Sequence, residues 1–102
     1  MKIIYSNLAK EHLLSIKQYI SADNKTAAKK HLQEIKKRIE ILEDFPYIGK
    51  ENSTLNSTNI REFVILGYKA IYKINNNTLV ILAIYKLINL NESKLLENPS
   101  SE

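Results

Sequence analysis

In the first half of the chain, apolar residues recur with the period of an α-helix. After a short β-prone stretch at residues 2–5, one apolar series runs to Ile20, and a second runs from Ala28 to Leu42 in steps of 4, 3, 4 and 3. Such spacing places the apolar side chains on one side of each helix. A polar run, SADN, separates the two series and offers caps for a new helix. The pattern therefore predicts an antiparallel helix hairpin whose second helix spans residues 25–44.

The second half of the chain has the pattern of β-strands. Pro46 ends the second helix because its ring cannot continue a helix and biases the preceding residue away from helical angles. The polar residues 50–59 are predicted to form an exposed loop. Residues 60–66 and 68–74 then form two predicted strands, which are joined tightly at Gly67.

A last predicted strand spans residues 78–86 and follows an asparagine-rich turn. It is apolar at almost every position, which is the pattern of a strand buried on both faces. It neighbours strand 68–74, and it lies inside the sheet if residues 2–5 join as well. The predicted order is β-α-α-β-β-β, an α+β domain with an N-terminal helix hairpin packed on a small antiparallel-rich sheet. We predict one domain over residues 1–88 and a partly disordered tail over residues 89–102.

Composition narrows the class of protein further. The chain has 102 residues, 44% of them hydrophobic, which suits one compact domain with a real core. Its net charge of +4 favours an acidic partner such as nucleic acid or an acidic protein surface. The absence of cysteine excludes disulfides and cysteine-type zinc sites. The longest apolar stretch, residues 79–85, is far shorter than the roughly 20 residues that cross a bilayer. We expect a cytoplasmic protein with no metal, no cofactor and no membrane contact.

The predicted sheet carries the side chains best suited to catalysis or binding. They are four cations and three tyrosines: Arg61, Lys69, Lys73, Lys86, Tyr68, Tyr72 and Tyr85. Alternation along a strand puts Lys69 and Lys73 on one face and Tyr68 and Tyr72 on the other. A ribonuclease that uses the ribose 2′-hydroxyl needs a base, an acid and cations around the phosphate, so this set is one candidate site. The alternative is that the lysines are simply solvated and the tyrosines are half-buried against the helices.

Several motifs resemble the RelE/ParE toxin superfamily, and the resemblance covers residues 3–86. The matching residues are Tyr5, Ala9, Leu13 and Ile16 at the first helix, the turn Pro46-Tyr47-Ile48-Gly49-Lys50, and the strings Ile60-Arg61-Glu62 and Tyr68-Lys69-Ala70-Ile71-Tyr72-Lys73-Ile74. Lys69 stands where the family usually has arginine. The order of elements is that of the superfamily as well.

The resemblance implies the toxin of a type II toxin–antitoxin system, a class linked to growth arrest and plasmid stabilization. RelE-type members cleave mRNA on the ribosome, whereas ParE-type members inhibit DNA gyrase without being nucleases. The last strand ends in Tyr85 and Lys86 with no arginine or histidine after it, and His12 and His31 lie on the helices, outside the expected site. This favours a ParE-like gyrase inhibitor. Tyr85 keeps the RelE-like ribonuclease open as an alternative.

Two overlapping sets of site residues follow from this interpretation. The candidate catalytic residues, should the protein be an enzyme, are Arg61, Lys69, Lys73, Tyr85 and Lys86; the candidate residues for binding the target or the antitoxin are Arg61, Tyr68, Lys69, Tyr72, Lys73 and Lys86. Arg61 has an equally plausible structural role as the partner of a nearby carboxylate. The expected partners are gyrase, or the ribosome and mRNA, together with a cognate antitoxin whose tail folds on the toxin as an added strand or helix. The oligomeric state stays open.

Overall fold

The computed structural model describes residues 1–52 and 57–87. The elements in chain order are β1 (Lys2–Tyr5), α1 (Asn7–Ser21), α2 (Lys25–Ile39), α3 (Ile41–Asp44), β2 (Lys50–Asn52), β3 (Ser57–Ile65), β4 (Tyr68–Ile74) and β5 (Thr78–Lys86). The strands form one sheet in the order β1-β5-β4-β3-β2. β1 pairs with β5 in parallel, and the other neighbours are antiparallel. The predicted α+β class and the place of the last strand inside the sheet are confirmed.

Both long helices begin at a polar N-cap residue. The Ser6 hydroxyl accepts the N–H of Ala9 at 3.0 Å, and the Asn24 side-chain oxygen accepts the N–H of Ala27 at 3.0 Å. Each bond satisfies one of the amides that a helix leaves without a partner in its first turn.

One core holds the helices on the sheet. The buried apolar residues, each no more than 7% exposed, come from the helical stripes and from one face of the strands: Ala9, Leu13, Ile35, Ile39, Leu42, Ile65, Ala70, Tyr72, Ile74, Leu79, Ile81 and Ile84. Every second residue of β4 from Ala70 to Ile74 belongs to this set, as strand alternation requires. No described helix packs against the opposite face of the sheet, on which Ile4 and Val64 remain exposed.

The predicted second helix is not continuous, because the structure breaks it once. α2 ends at Ile39, and a separate short helix, α3, follows after Glu40. Ile39 and Leu42 are both fully buried on either side of the break. The bend directs the chain toward β1, where the Met1 amino group donates to the Glu43 carbonyl at 3.3 Å. Packing against β1 thus overrides a helical pattern that the sequence alone would continue.

The predicted loop at residues 50–59 is also partly wrong. Residues 50–52 form β2, and β3 begins at Ser57 rather than at residue 60; residues 53–56 lie outside the described part. Lys50 pairs with Glu62 and Glu51 with Arg61, so the polar side chains of β2 find charged partners on β3. An edge strand stabilised in this way carries no apolar alternation that a sequence reading could detect.

A β-bulge in β5 changes which face each later residue occupies. Tyr72 pairs with Ile81 but Ile71 pairs with Ala83, which leaves Leu82 as the extra residue. Counting in twos from Ile81 would put Tyr85 on the core face, whereas the bulge turns Tyr85 to the opposite face and Lys86 to the helix side. The prediction that β5 is buried on both faces is wrong, because no described helix covers the second face. The predicted tail, residues 89–102, lies outside the described residues.

Candidate functional site

We call the face of the sheet opposite the helices the open face. The cross-strand register places the following side chains on it: Lys2, Ile4, Lys50, Ile60, Glu62, Val64, Lys69, Ile71, Lys73, Val80, Ala83 and Tyr85. Three of its apolar members are well exposed, since Ile4 is 40%, Val64 57% and Tyr85 43% exposed, and the other apolar members are half-buried. An apolar surface bordered by charges is typical of a protein-binding site.

Glu62 organises the charges of the open face. Its carboxylate lies 3.5 Å from the Lys69 amino group and 3.7 Å from that of Lys50, and it accepts a bond of 3.1 Å from the Asn52 amide. Lys73 is exposed and has no ion pair among the described residues. The described open face therefore carries four lysines and one glutamate, and its field favours an acidic partner.

The two lysines of β4 do not converge on one point. Lys69 and Lys73 share a face as predicted, but four residues of extended strand separate their Cα atoms by about 13 Å. Tyr85 lies directly across from Lys69, whereas Val80 lies across from Lys73. The pair thus forms two separate positive positions along an apolar strip.

Arg61 lies on the helix side of the sheet, where its side chain binds the turn that precedes β2. Its guanidinium donates to the carbonyls of Gly49 at 2.8 Å and Tyr47 at 3.3 Å, sits 5.1 Å from the centre of the Tyr47 ring, and lies 3.5 Å from the Glu51 carboxylate. Its side chain is only 17% exposed. Of the two roles that the sequence left open, the contacts fit the structural one.

Tyr72, a candidate binding residue in the sequence, is a core residue and has no surface to offer. Its hydroxyl donates to the Pro46 carbonyl at 2.8 Å and accepts the Gly49 N–H at 2.9 Å. Burial raises the pKa of the Tyr72 phenol, partly offset by the Gly49 bond and the nearby Arg61 charge. The sequence could not separate this tyrosine from its neighbours, because the turn that it binds lies 26 residues away.

Tyr68 and Lys86 form a second group on the helix side of the sheet, where β4 begins and β5 ends. The two residues pair across β4 and β5, the His31 ring lies 5.6 Å from the Tyr68 ring, and the Lys86 amino group lies 5.7 Å from the Tyr19 ring. Burial, and then the neighbouring Tyr19, raise the pKa of Tyr68. Strand alternation puts Tyr68 on the opposite face from Lys69, and the bulge in β5 brings Lys86 to the same side as Tyr68.

His12 has a structural bond that the sequence did not reveal. Its Nδ1 atom accepts the Ile84 N–H at 3.0 Å, so the neutral ring carries its proton on Nε2. Ile84 lies in the part of β5 that extends beyond the end of β1. The apolar open-face residues were missed as well, although the two-faced apolar pattern of residues 78–86 was the signal for them.

The described residues thus divide the predicted site into three places. Lys69, Lys73 and Tyr85 lie on the open face, Arg61 is fixed beneath Tyr47, and Lys86 stands beside α1. Within residues 1–52 and 57–87 no cluster of histidine and carboxylate side chains is arranged to hold a metal ion. No helix in the same residues has the length and apolar character to span a membrane.

Comparison with known proteins connects this architecture to a family. A family model described as the ParE toxin of the type II toxin–antitoxin system parDE matches residues 3–86. A solved structure titled "Chromosomal ParDE TA system from P. aeruginosa" is similar with a TM-score of 0.72 and 18% identity, over 86% of this chain and 97% of that chain. At that identity the likeness shows a shared fold. A search of the curated proteins found no significant match. Because the family model covers most of the chain, the protein belongs to the ParE toxin family of type II toxin–antitoxin systems.

Proposed function

We propose that this protein arrests growth by binding and inhibiting DNA gyrase, and that a cognate antitoxin neutralises it. Membership of the ParE toxin family supports the antitoxin as a partner. The observation that favours an inhibitor over an enzyme is that the candidate catalytic cations are dispersed over two faces of the sheet. Since gyrase acts on the chromosome, the proposal implies a cytoplasmic toxin.

Phosphodiester cleavage needs an acid, a base and cations around one phosphate. Here the Arg61 guanidinium is engaged by two backbone carbonyls and Glu51, and Lys69 is paired with Glu62. Lys86 stands on the other face from Lys69 and Lys73. A binding protein has no such requirement, because separated lysines around exposed apolar side chains suit a broad protein interface.

We propose the open face as the surface that contacts gyrase. Its exposed apolar side chains provide area to bury, and the lysines around them select an acidic surface. Val64 and Lys69 are cross-strand neighbours, so one contact area combines both properties. Replacing Val64 and Lys73 together by glutamate would remove apolar area and reverse a positive charge while leaving the core untouched.

One observation favours the alternative, a ribosome-dependent mRNA endoribonuclease. Tyr85 lies directly across from Lys69 on the open face and is 43% exposed, so a phenol and a cation are available together. A tyrosine in that position can stack on a base or act as an acid. Lys69→Ala combined with Tyr85→Phe would abolish cleavage if this pair forms the site.

Two assays with the same purified toxin separate the proposals. Gyrase supercoiling of relaxed plasmid measures the first, and primer extension on an mRNA under translation measures the second. We expect loss of supercoiling and intact mRNA, with supercoiling restored when antitoxin is added first. Full supercoiling at excess toxin, together with new mRNA ends, would replace the gyrase proposal by the ribonuclease.

A further inference from the structure

The positive charge of the chain is concentrated on one helix. α2 holds six of the 15 lysine and arginine residues and a single carboxylate, so this helix has a net charge of +5, whereas the whole chain has +4. The remainder of the chain is therefore slightly negative. The contact proposed for gyrase uses the open face, on the other side of the sheet, and makes no use of the charge on α2.

Five of these cations form a continuous stripe along α2. At about 100° per residue, their positions fall within an arc of roughly 140° around the helix axis, and the first and last are about 18 Å apart. Ala28, Ile35 and Ile39 form the core side of the same helix and are fully buried. Because the core side faces the sheet, the stripe is turned away from it. We call this surface the lysine stripe; it consists of Lys25, Lys29, Lys30, Lys36 and Lys37.

No described residue neutralises the lysine stripe. All five side chains are exposed, and none has an ion pair or a side-chain hydrogen bond within residues 1–52 and 57–87. Glu34, the carboxylate of α2, is four residues from both Lys30 and Arg38, a spacing at which ion pairs form on helices, yet it pairs with neither. The full charge of the stripe is consequently available to a partner.

Helix stability does not account for the stripe. The N-terminal end of a helix is the positive end of its dipole and favours carboxylates, but the first turn of α2 contains Lys25 and no acidic residue. Lys25 and Lys29 are also four residues apart, and like charges at that spacing destabilise a helix. Of the stripe, only Lys36 and Lys37 lie in the last turn, where the dipole favours cations. The lysines of the first half cost folding free energy, which points to a bound partner.

The surroundings of the stripe select the chemistry of that partner. α2 has no exposed large apolar side chain, so it lacks the anchor of a protein or membrane contact. It has no phenylalanine, tyrosine or tryptophan on which unpaired bases could stack. Lysine amino groups are point charges that suit phosphate oxygens. A helix about 10–12 Å across also fits the major groove of B-form DNA, which is about 12 Å wide, whereas the major groove of A-form RNA is narrow.

We propose that the lysine stripe binds the phosphate backbone of double-stranded DNA without preference for sequence. A length of about 18 Å of duplex carries about ten phosphate charges, which is enough to meet all five lysines. The stripe and the open face lie on opposite sides of the sheet, so DNA and a protein can occupy the toxin together. The contact is separate from the one proposed for gyrase and makes DNA a direct partner of the toxin.

Fluorescence anisotropy of a labelled duplex, titrated with the full-length toxin, tests the contact. We expect binding that is equal for duplexes of unrelated sequence and that weakens steeply with salt. If all five lysines meet phosphates, the slope of log K against log salt concentration should be about −4.5. Absence of binding at low salt, or a strong preference for one sequence, would overturn the proposal.

Matched variants locate the contact on the molecule. Lys36→Gln with Lys37→Gln should weaken DNA binding at least tenfold at low salt and make the slope shallower by about 1.8. Lys2→Gln with Lys73→Gln removes the same charge from exposed positions on the open face and should weaken binding less than threefold. Equal losses in the two double variants would show that DNA does not select the stripe.

A charge-preserving variant separates binding from folding. Lys36→Arg with Lys37→Arg keeps both charges and should bind DNA as the wild type does, and circular dichroism verifies the helix content of every variant. In the wild-type toxin, added duplex should shift the backbone amide NMR signals of α2 and leave those of β4 unchanged. Shifts confined to β4, or loss of binding in the arginine variant, would refute a charge contact at the stripe.

Two further probes test the identity of the partner. Single-stranded RNA of the same length and polyglutamate carry negative charge without the shape of a B-form duplex. Both should bind more weakly than the DNA duplex at equal salt. If either binds more tightly, and the Lys36→Gln with Lys37→Gln variant loses that binding, the stripe belongs to RNA or to an acidic protein and the DNA assignment is overturned.

Discussion

The Gly49 amide nitrogen lies 2.9 Å from the Tyr72 hydroxyl oxygen, which joins the turn after the helices to the centre of the sheet. The same hydroxyl donates to Pro46, so one buried side chain satisfies two backbone groups of the turn. A Cβ atom on Gly49 would meet the Tyr72 hydroxyl and come within 2.7 Å of the Glu62 carbonyl. The proline–glycine motif and the second tyrosine of β4 are therefore two halves of one contact.

Substitutions at this contact should destabilise the fold. We expect Tyr72→Phe to lower the free energy of unfolding by about 1–3 kcal/mol, because it leaves buried backbone groups without partners. Gly49→Ala should cost about 1–3 kcal/mol through the clash. Urea unfolding measures both. Tyr47→Phe is the control, since Tyr47 is 63% exposed, and its change should stay within about 0.5 kcal/mol. A Tyr72→Phe variant as stable as that control would contradict the account.

The hairpin between β3 and β4 offers a stabilising change. Leu66 and Gly67 have φ angles of 50° and 84°, as the two central residues of a type I′ turn require. A leucine in this region is strained, whereas asparagine tolerates it. Leu66→Asn should raise the free energy of unfolding by about 1 kcal/mol, and Gly67→Ala should lower it by about 1–2 kcal/mol. Thermal unfolding of the two variants should therefore shift in opposite directions, and a shared direction would argue against this turn.

The bond between His12 and β5 predicts a measurable loss. His12→Ala leaves the Ile84 N–H without an acceptor and should lower the free energy of unfolding by about 1–3 kcal/mol. The Ile84 amide should also exchange faster with solvent. His31→Ala removes a ring contact but no hydrogen bond within the described residues, so it is the matched control. If the Ile84 amide exchanges equally fast in both variants, the bond does not hold α1 to the strand.

Alkaline pH should destabilise the fold. Burial, reinforced by the Glu40 carboxylate, raises the pKa of Tyr5 to about 12 from the ordinary tyrosine value of 10.0. Between about pH 10 and 12 the unfolded chain loses this proton while the folded chain keeps it, so the contribution to stability present below pH 10 falls as pH rises. Chemical unfolding across this range should show a decline that Tyr5→Phe makes shallower. An identical decline in the variant would exclude Tyr5 as a source.

Local patterns predicted much of the fold but little of the site. The helical stripes, the caps and the alternation of β4 depend on neighbouring residues and could be read from the chain. The break after Ile39 and the polar strand β2 depend on contacts with distant strands, and so do the roles of Arg61 and Tyr72. The bulge at Leu82 had the largest effect, because one extra residue exchanged the faces of Tyr85 and Lys86.

Charge reversal on the open face should separate binding from folding. The double variant Val64→Glu with Lys73→Glu removes apolar area and positive charge from exposed positions, so we expect wild-type stability but at least tenfold weaker inhibition of gyrase. The control is a separate double variant, Lys29→Glu with Lys30→Glu on the exposed side of α2, which lowers the net charge by more than the open-face variant does. Equal inhibition by both double variants would show that the open face does not bind gyrase.

Titration of purified toxin against a fixed amount of gyrase tests the central claim most directly. The readout is the fraction of relaxed plasmid that becomes supercoiled. A toxin that acts by binding should abolish supercoiling once it saturates the enzyme, and an equimolar amount of antitoxin should restore it. Full supercoiling at a large excess of folded toxin would contradict the account.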